Sequence, residues 1–158
     1  VSPSAIKETL ADPSALETIY YWDGLSQSWF SWRSSVPSFL NDLTVILPNM
    51  PLFLVLTKPT TIEMDTPDFS SGTAQVVTGY TAVTFLGSDG TSPSDAMTDI
   101  GDSSRIEALF WMDPVTQTYK SYRPDGPGFL NDLVTLNRYD ALFVKASGVT
   151  SWSHIGVE

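Results

Sequence analysis

The chain has 158 residues, of which 42% are hydrophobic, and it includes 5 Trp, 6 Tyr and 8 Phe, enough to build a packed core. Its net charge of −10 disfavours nucleic acid and anionic lipid as partners, because cationic side chains provide most of that attraction. The absence of cysteine excludes disulfides and thiolate nucleophiles, and no apolar run approaches the roughly 18 residues of a membrane span.

Residues 1–64 predict a short helix followed by strands. The segment SPSAIKETL at 2–10 has a serine cap ahead of apolar residues at helical spacing. Two aromatic and β-branched runs, ETIYYWD at 17–23 and QSWFSWR at 27–33, predict a hairpin with Asp23 in its turn. The turn PSFLNDL at 37–43, a strand at LFLVL and a last strand near TTIEM complete this unit.

Residues 65–75 are rich in Asp, Pro, Ser, Thr and Gly, which is typical of a linker. The segment VVTGYTAVTFLG at 76–87 predicts a strand. Residues 91–158 then repeat the pattern of the first unit, with a hairpin broken at Asp113 and the turn PGFLNDL at 127–133.

The repeat has a period of 90 residues. Without a gap, residues 1–63 align with 91–153, and our count over the two segments gives about 19 identities. We therefore predict a first unit at 1–64, a linker at 65–75 and a second unit at 76–158, both mainly β (α+β), resembling small barrels or sandwiches with one short helix each.

The first unit has no counterpart of the strand at 76–87, because position 1 already aligns with position 91. Three explanations remain open. An upstream strand has been removed from a longer parent, or a neighbouring molecule supplies it by β-strand addition, or the strand at 76–87 serves the first unit. Each predicts an exposed sheet edge, which favours self-association or a longer parent protein.

The charged residues give little indication of catalysis. His154, the only histidine, lies near the C-terminus, and Met64 stands at its place in the first unit. The repeated acids Asp23, Asp42, Asp113 and Asp132 lie at turns, where carboxylates usually bind local backbone. We predict no enzyme and no cofactor. The acidic loops at 65–68 and 87–95 leave a Ca²⁺ site as a hypothesis, for which the sequence does not indicate individual ligand residues.

Aromatic residues on the second hairpin strand are the candidates for a ligand site or an interface. They are Trp29, Phe30 and Trp32 in the first unit and Tyr119 and Tyr122 in the second. Exposed rings stack on sugars or pack against a partner chain, and buried rings complete a small core. Trp29, Phe30 and Trp32 place large apolar side chains on both faces of their strand, which is more than one core face requires. This favours an interface for some of these rings.

The duplicated turn predicts a structural joint. We expect its apolar residues to form one helical turn directed into the core, and its Asn and Asp to bind the backbone where the chain reverses. The residues are Phe39, Leu40, Asn41, Asp42 and Leu43, and Phe129, Leu130, Asn131, Asp132 and Leu133.

The aromatic-Asp turn, the Pro-x-Phe-Leu-Asn-x-Leu motif and the following Phe-Val strand resemble a repeat of secreted and surface proteins of bacteria and archaea. That resemblance implies an extracellular or cell-surface location in a prokaryote. We expect a structural protein of a surface layer, filament or stalk, assembled by strand addition or edge contacts. The alternative is an adhesion module whose exposed aromatics bind polysaccharide.

Overall fold

A computed structural model describes residues 1–63 and 71–156 of the chain. The fold is mainly β, with ten strands in three sheets, two short α-helices and five single 3₁₀ turns in these ranges. The helices are α1 (Pro3–Glu8) and α2 (Pro93–Ala96), and the hydroxyls of Ser2 and Ser92 cap them as the sequence predicts. In the same two ranges, no helix has the length and apolar character needed to cross a membrane.

The first sheet has three strands in the order β2-β1-β3. They are β1 (Leu16–Asp23), β2 (Ser28–Arg33) and β3 (Phe53–Leu56), and both pairings are antiparallel. The predicted hairpin is confirmed, since β1 and β2 are joined by a turn that Asp23 closes with its carboxylate.

The second sheet has five strands in the order β10-β5-β8-β6-β7. The strands are β5 (Gly79–Phe85), β6 (Ile106–Asp113), β7 (Thr118–Tyr122), β8 (Ala141–Ala146) and β10 (Ile155–Gly156). A separate two-stranded sheet pairs β4 (Thr73–Val76) with β9 (Thr150–Ser153). The segment that opens the second unit therefore forms two strands, β4 and β5, which join two sheets. We call Thr73–Phe85 the opening segment.

Two cores lie inside the two units, and they differ in size. The larger core, in the second unit, includes the fully buried Trp152, Phe85, Leu109, Leu136, Leu142 and Ile155. The smaller core consists of Leu10, Leu16, Ile19, Tyr21, Leu43 and Ile46. Alternation from Ile19 in β1 and from Leu109 in β6 supplies both cores, and a register shift near the start of each strand brings Leu16 and Ile106 into the same cores.

Strand β5 pairs with β8 of its own unit, so it does not serve the first unit, and that explanation of the missing strand is wrong. The strand β8 lies between β5 and β6, whereas its repeat counterpart β3 pairs with β1 alone among the described strands. The outer edge of β3 is consequently unpaired in the described part of the chain.

The observed boundaries differ from the predicted linker at 65–75. Residues 73–75 belong to β4, so the second unit begins earlier than predicted. Residues 65–70 of the predicted linker are outside the described ranges. The same holds for Met64 and for the acidic stretch at 65–68, a candidate for Ca²⁺ binding.

Candidate functional site

The outer faces of the two large sheets meet in an aromatic cluster. Alternation along β1, β2 and β3 places Trp22, Trp29 and Phe53 on the face opposite to the first core. The same alternation places Phe143 on the outer face of β8, yet only 8% of this residue is exposed. The first unit covers it.

Phe143 is the centre of this cluster. It stacks on Phe53, its own repeat counterpart, with ring centroids 5.1 Å apart and planes 13° from parallel. The rings of Trp22, Trp29 and Tyr119 approach Phe143 at 6.4, 5.7 and 6.3 Å, and the two tryptophans do so edge-on. Such geometries are favourable for aromatic pairs and add to the gain from burial.

An open groove of about 280 Å³ runs along this cluster. Six aromatic side chains line it: Trp22, Trp29, Tyr80, Phe110, Tyr119 and Phe143. The rings of Trp29, Tyr80 and Tyr119 are exposed there. Burial raises the pKa of the Tyr119 phenol above its ordinary value. The groove offers ring faces for stacking and two phenol hydroxyls for hydrogen bonding.

Polar contacts join the units at either side of the rings. The Trp22 indole N–H donates to the Tyr80 carbonyl at 2.9 Å. The Thr84 hydroxyl donates to the Asn49 carbonyl at 2.7 Å, and Thr84 is buried although it lies on the outer face of β5. The two units thus share a contact with both apolar and polar parts.

The structure separates the predicted aromatic residues into two groups. Trp29 and Tyr119 line the groove. Phe30 and Trp32 pack against the first core, and Tyr122 packs against the second, so these three are core residues. The groove residues that we did not predict are Trp22, Tyr80, Phe110 and Phe143. The hairpin register would have indicated Trp22, because it pairs directly with Trp29 across the turn.

The duplicated turn differs from its prediction in one respect. Residues Ser38–Leu40 and Gly128–Leu130 form the expected single helical turn, and Leu43 and Leu133 are buried. The phenylalanines, however, are 82% exposed at Phe39 and 87% exposed at Phe129, and Leu40 and Leu130 are exposed too. The prediction that these four enter the core is wrong, because the turn is tethered to the outside of the hairpin.

Hydrogen bonds of Asn and Asp provide that tether, as predicted. The Asn131 amide accepts from the Arg123 N–H at 2.8 Å and donates to the Arg123 carbonyl at 3.1 Å. The Asp132 carboxylate accepts from the Ser121 N–H at 2.6 Å. The first unit has the same contacts, from Asn41 to Arg33 and from Asp42 to Ser31. They occupy backbone groups of the outer hairpin strand that would otherwise be unpaired.

Other acids are also bound to neighbouring groups of the fold. Asp89 accepts from the Arg138 N–H, and Asp95 accepts from the Ser92 hydroxyl. His154 lies 2.9 Å from Asp99 on the surface. Burial would raise the pKa of Asp23, but hydrogen bonds from Ser26 and Leu25 lower it. In residues 1–63 and 71–156, no group of three or more His, Asp or Glu could hold a metal ion.

No protein-family model matches the chain, and neither a curated protein nor a solved structure matches it. The resemblance to prokaryotic surface repeats therefore stays a prediction.

Proposed function

We propose that this chain is a non-enzymatic structural protein of the prokaryotic cell exterior, in which the first unit accepts an added β-strand from another repeat unit. The strand would pair with the outer edge of β3 and thereby link one building block of a layer, filament or stalk to the next. The location rests on the resemblance of the sequence motifs, and the mode of assembly rests on the edge of β3.

The exposure of repeat-related residues on β3 and β8 is the observation that carries this proposal. Ala146 on β8 is 3% exposed, whereas its counterpart Leu56 on β3 is 39% exposed. The opening segment accounts for the difference, since β5 pairs with β8 and covers its edge. An unpaired edge with exposed aliphatic side chains is a template for a further strand.

The register of the repeat supplies a direct test. A copy of residues 71–90 joined ahead of Val1 would place a second opening segment beside β3, because position 91 aligns with position 1. The junction is compatible with the fold. Val1 and Ile46 already exchange the two backbone hydrogen bonds that Thr91 and Leu136 exchange.

We expect amide exchange in β3 to slow at least tenfold in the extended chain, because the new ladder would bond its outer N–H groups. The control is the same extension with its residue order scrambled, which keeps length and composition. We also expect the unextended chain to self-associate in analytical ultracentrifugation and the extended chain to do so less. If the original chain is a monomer and its outer β3 amides are already protected, the proposal is wrong.

The aromatic groove favours a second candidate function, the binding of polysaccharide. The exposed rings of Trp29, Tyr80 and Tyr119 offer faces for stacking on sugars, and three further aromatic side chains line the same groove. Titration with a panel of soluble polysaccharides, followed by tryptophan fluorescence, would detect this binding. Tyr119→Ala should weaken it, and Tyr139→Ala, which removes an exposed tyrosine outside the groove, should not. Equal binding by both variants would remove the basis of this candidate.

A further inference from the structure

Besides the Trp22 indole, the hairpin of the first unit binds the edge of β5 through the side chain of Gln27. Gln27 accepts a hydrogen bond from the Tyr80 N–H at 2.9 Å and donates one to the Tyr80 carbonyl at 2.7 Å. A side-chain amide therefore occupies both backbone groups of one strand residue, as a neighbouring strand would. We call this arrangement the glutamine clasp.

The glutamine clasp also restricts the sequence of the strand that it holds. Gly79 precedes the clasped residue and has a φ of +94°, a region that side chains rarely adopt. A Cβ at this position would lie 2.4 Å from the Gln27 Oε1 atom. A strand suited to this clasp therefore carries glycine immediately before the clasped residue.

The second unit contains the same turn in the same conformation. Gln117 is the repeat counterpart of Gln27, and their φ angles are +57° and +52°. The Gln117 amide donates to the Pro114 carbonyl at 2.8 Å, as the Gln27 amide does to the Gly24 carbonyl at 2.6 Å. Glutamine is identical in both units although its neighbours in the turn differ, so the second turn retains the side chain that forms the clasp in the first.

The packing of the two units indicates what Gln117 would face. The outer faces meet, and the repeat counterparts Phe53 and Phe143 stack on each other, as expected near an approximate two-fold axis. On one side of this stack, the turn of the first unit reaches β5 of the second. Exchange of the units about that axis places the turn of the second unit beside the outer edge of β3, where an opening segment of the first unit would lie.

We propose that Gln117 forms a second glutamine clasp, which binds the opening segment that completes the first unit. The occupant is the opening segment of another unit of this repeat, with glycine before the clasped residue, and Thr73–Phe85 represents it. This inference rests on the proposed function, and it adds a selecting element: β3 provides the ladder, and Gln117 fixes the register of the incoming strand.

The chain extended by residues 71–90 ahead of Val1 tests this inference by residue-resolved amide exchange. The readout is the amide of the added copy of Tyr80. We expect Gln117→Ala to speed its exchange about tenfold, since two hydrogen bonds are lost. Gln27→Ala should speed the exchange of the original Tyr80 amide to a similar extent and serves as the internal reference. Val115→Ala, on the same turn and exposed, should change neither.

A second measurement uses the unextended chain and a labelled peptide with the sequence of Thr73–Phe85. Fluorescence anisotropy should show binding that is about tenfold weaker for Gln117→Ala, and weaker still when the peptide carries Gly79→Ala.

The two proposals fail in different ways. If β3 amides become protected but exchange of the copied Tyr80 amide does not depend on Gln117, the second clasp is refuted and strand acceptance stands. If Gln117 affects the copied Tyr80 amide while β3 stays unprotected, strand acceptance at β3 is refuted instead. If neither is observed and the peptide does not bind, both are refuted.

Discussion

Replacement of Phe143 by alanine should cost about 3–5 kcal/mol of unfolding free energy, the range of a buried phenylalanine. This ring is almost fully buried, and it contacts Phe53 and Trp29 of the other unit as well as Tyr119 of its own. The loss therefore combines transfer of the ring, a cavity at the contact between units and the loss of several aromatic pairs.

Phe129→Ala is the matched control, because it removes the same side chain from a position that is 87% exposed. We expect a change within about 0.5 kcal/mol, as for a surface substitution that loses few contacts. Both variants would be unfolded in urea and followed by the fluorescence of the tryptophans, two of which lie beside Phe143. Phe143→Ala should also shift the native emission to longer wavelength, because water would reach these indoles.

Equal costs for the two variants would refute this reasoning, because the two rings differ in burial and burial is the stated source of the cost. A cost below about 1 kcal/mol for Phe143→Ala would also refute it, because the contact between the units would then contribute little to folding.

Three further predictions concern single side chains. Asn131→Ala should cost about 1–3 kcal/mol, measured by urea unfolding, because two hydrogen bonds to the Arg123 backbone are lost; an unchanged midpoint would contradict the tether. Lys58 and local hydrogen bonds lower the pKa of Asp12 to about 2 from 3.8, so its contribution to stability is present above about pH 4 and is lost as the pH falls toward 2. In Asp12→Asn the urea midpoint should therefore fall less between about pH 4 and pH 2 than it does in the original chain. An equal fall in both proteins would contradict the prediction. Trp152→Phe should lower the free energy of unfolding by about 1–3 kcal/mol, because the fully buried indole N–H of Trp152 donates to a backbone carbonyl. Thermal unfolding would measure this, and a melting temperature equal to that of the original chain would contradict the contribution of that hydrogen bond.

Several identities between the two units lie at positions whose side chains bind backbone. Asp23 and Asp113 close the hairpin turns, and Asn41 and Asn131 tether the following turn. These contacts span few residues, so a local pattern suffices to predict them. The exposure of Phe39 was not predictable in this way, because apolar character alone does not tell which side of a helical turn faces the core.

The aromatic residues illustrate the opposite case. Trp29 and Trp32 stand on the same strand with similar surroundings in sequence, yet one lines the groove and the other packs against the core. Alternation along the strand places them on opposite faces, but only the packing of the sheet decides which face meets the core. That the outer face is covered by another unit depends on contacts between residues about ninety positions apart, such as Phe53 with Phe143.

The sequence by itself predicted the repeat, the hairpins of its two units and the serine caps of α1 and α2. Each of these follows from local hydrogen bonding or from the register of the repeat. Tertiary structure alone decided that β5 remains with its own unit, that the outer faces meet at an aromatic cluster, and that Gln27 binds the backbone of Tyr80. The reason is physical: burial of a sheet face and pairing of a strand edge are properties of two surfaces brought together, and neither surface alone specifies its partner.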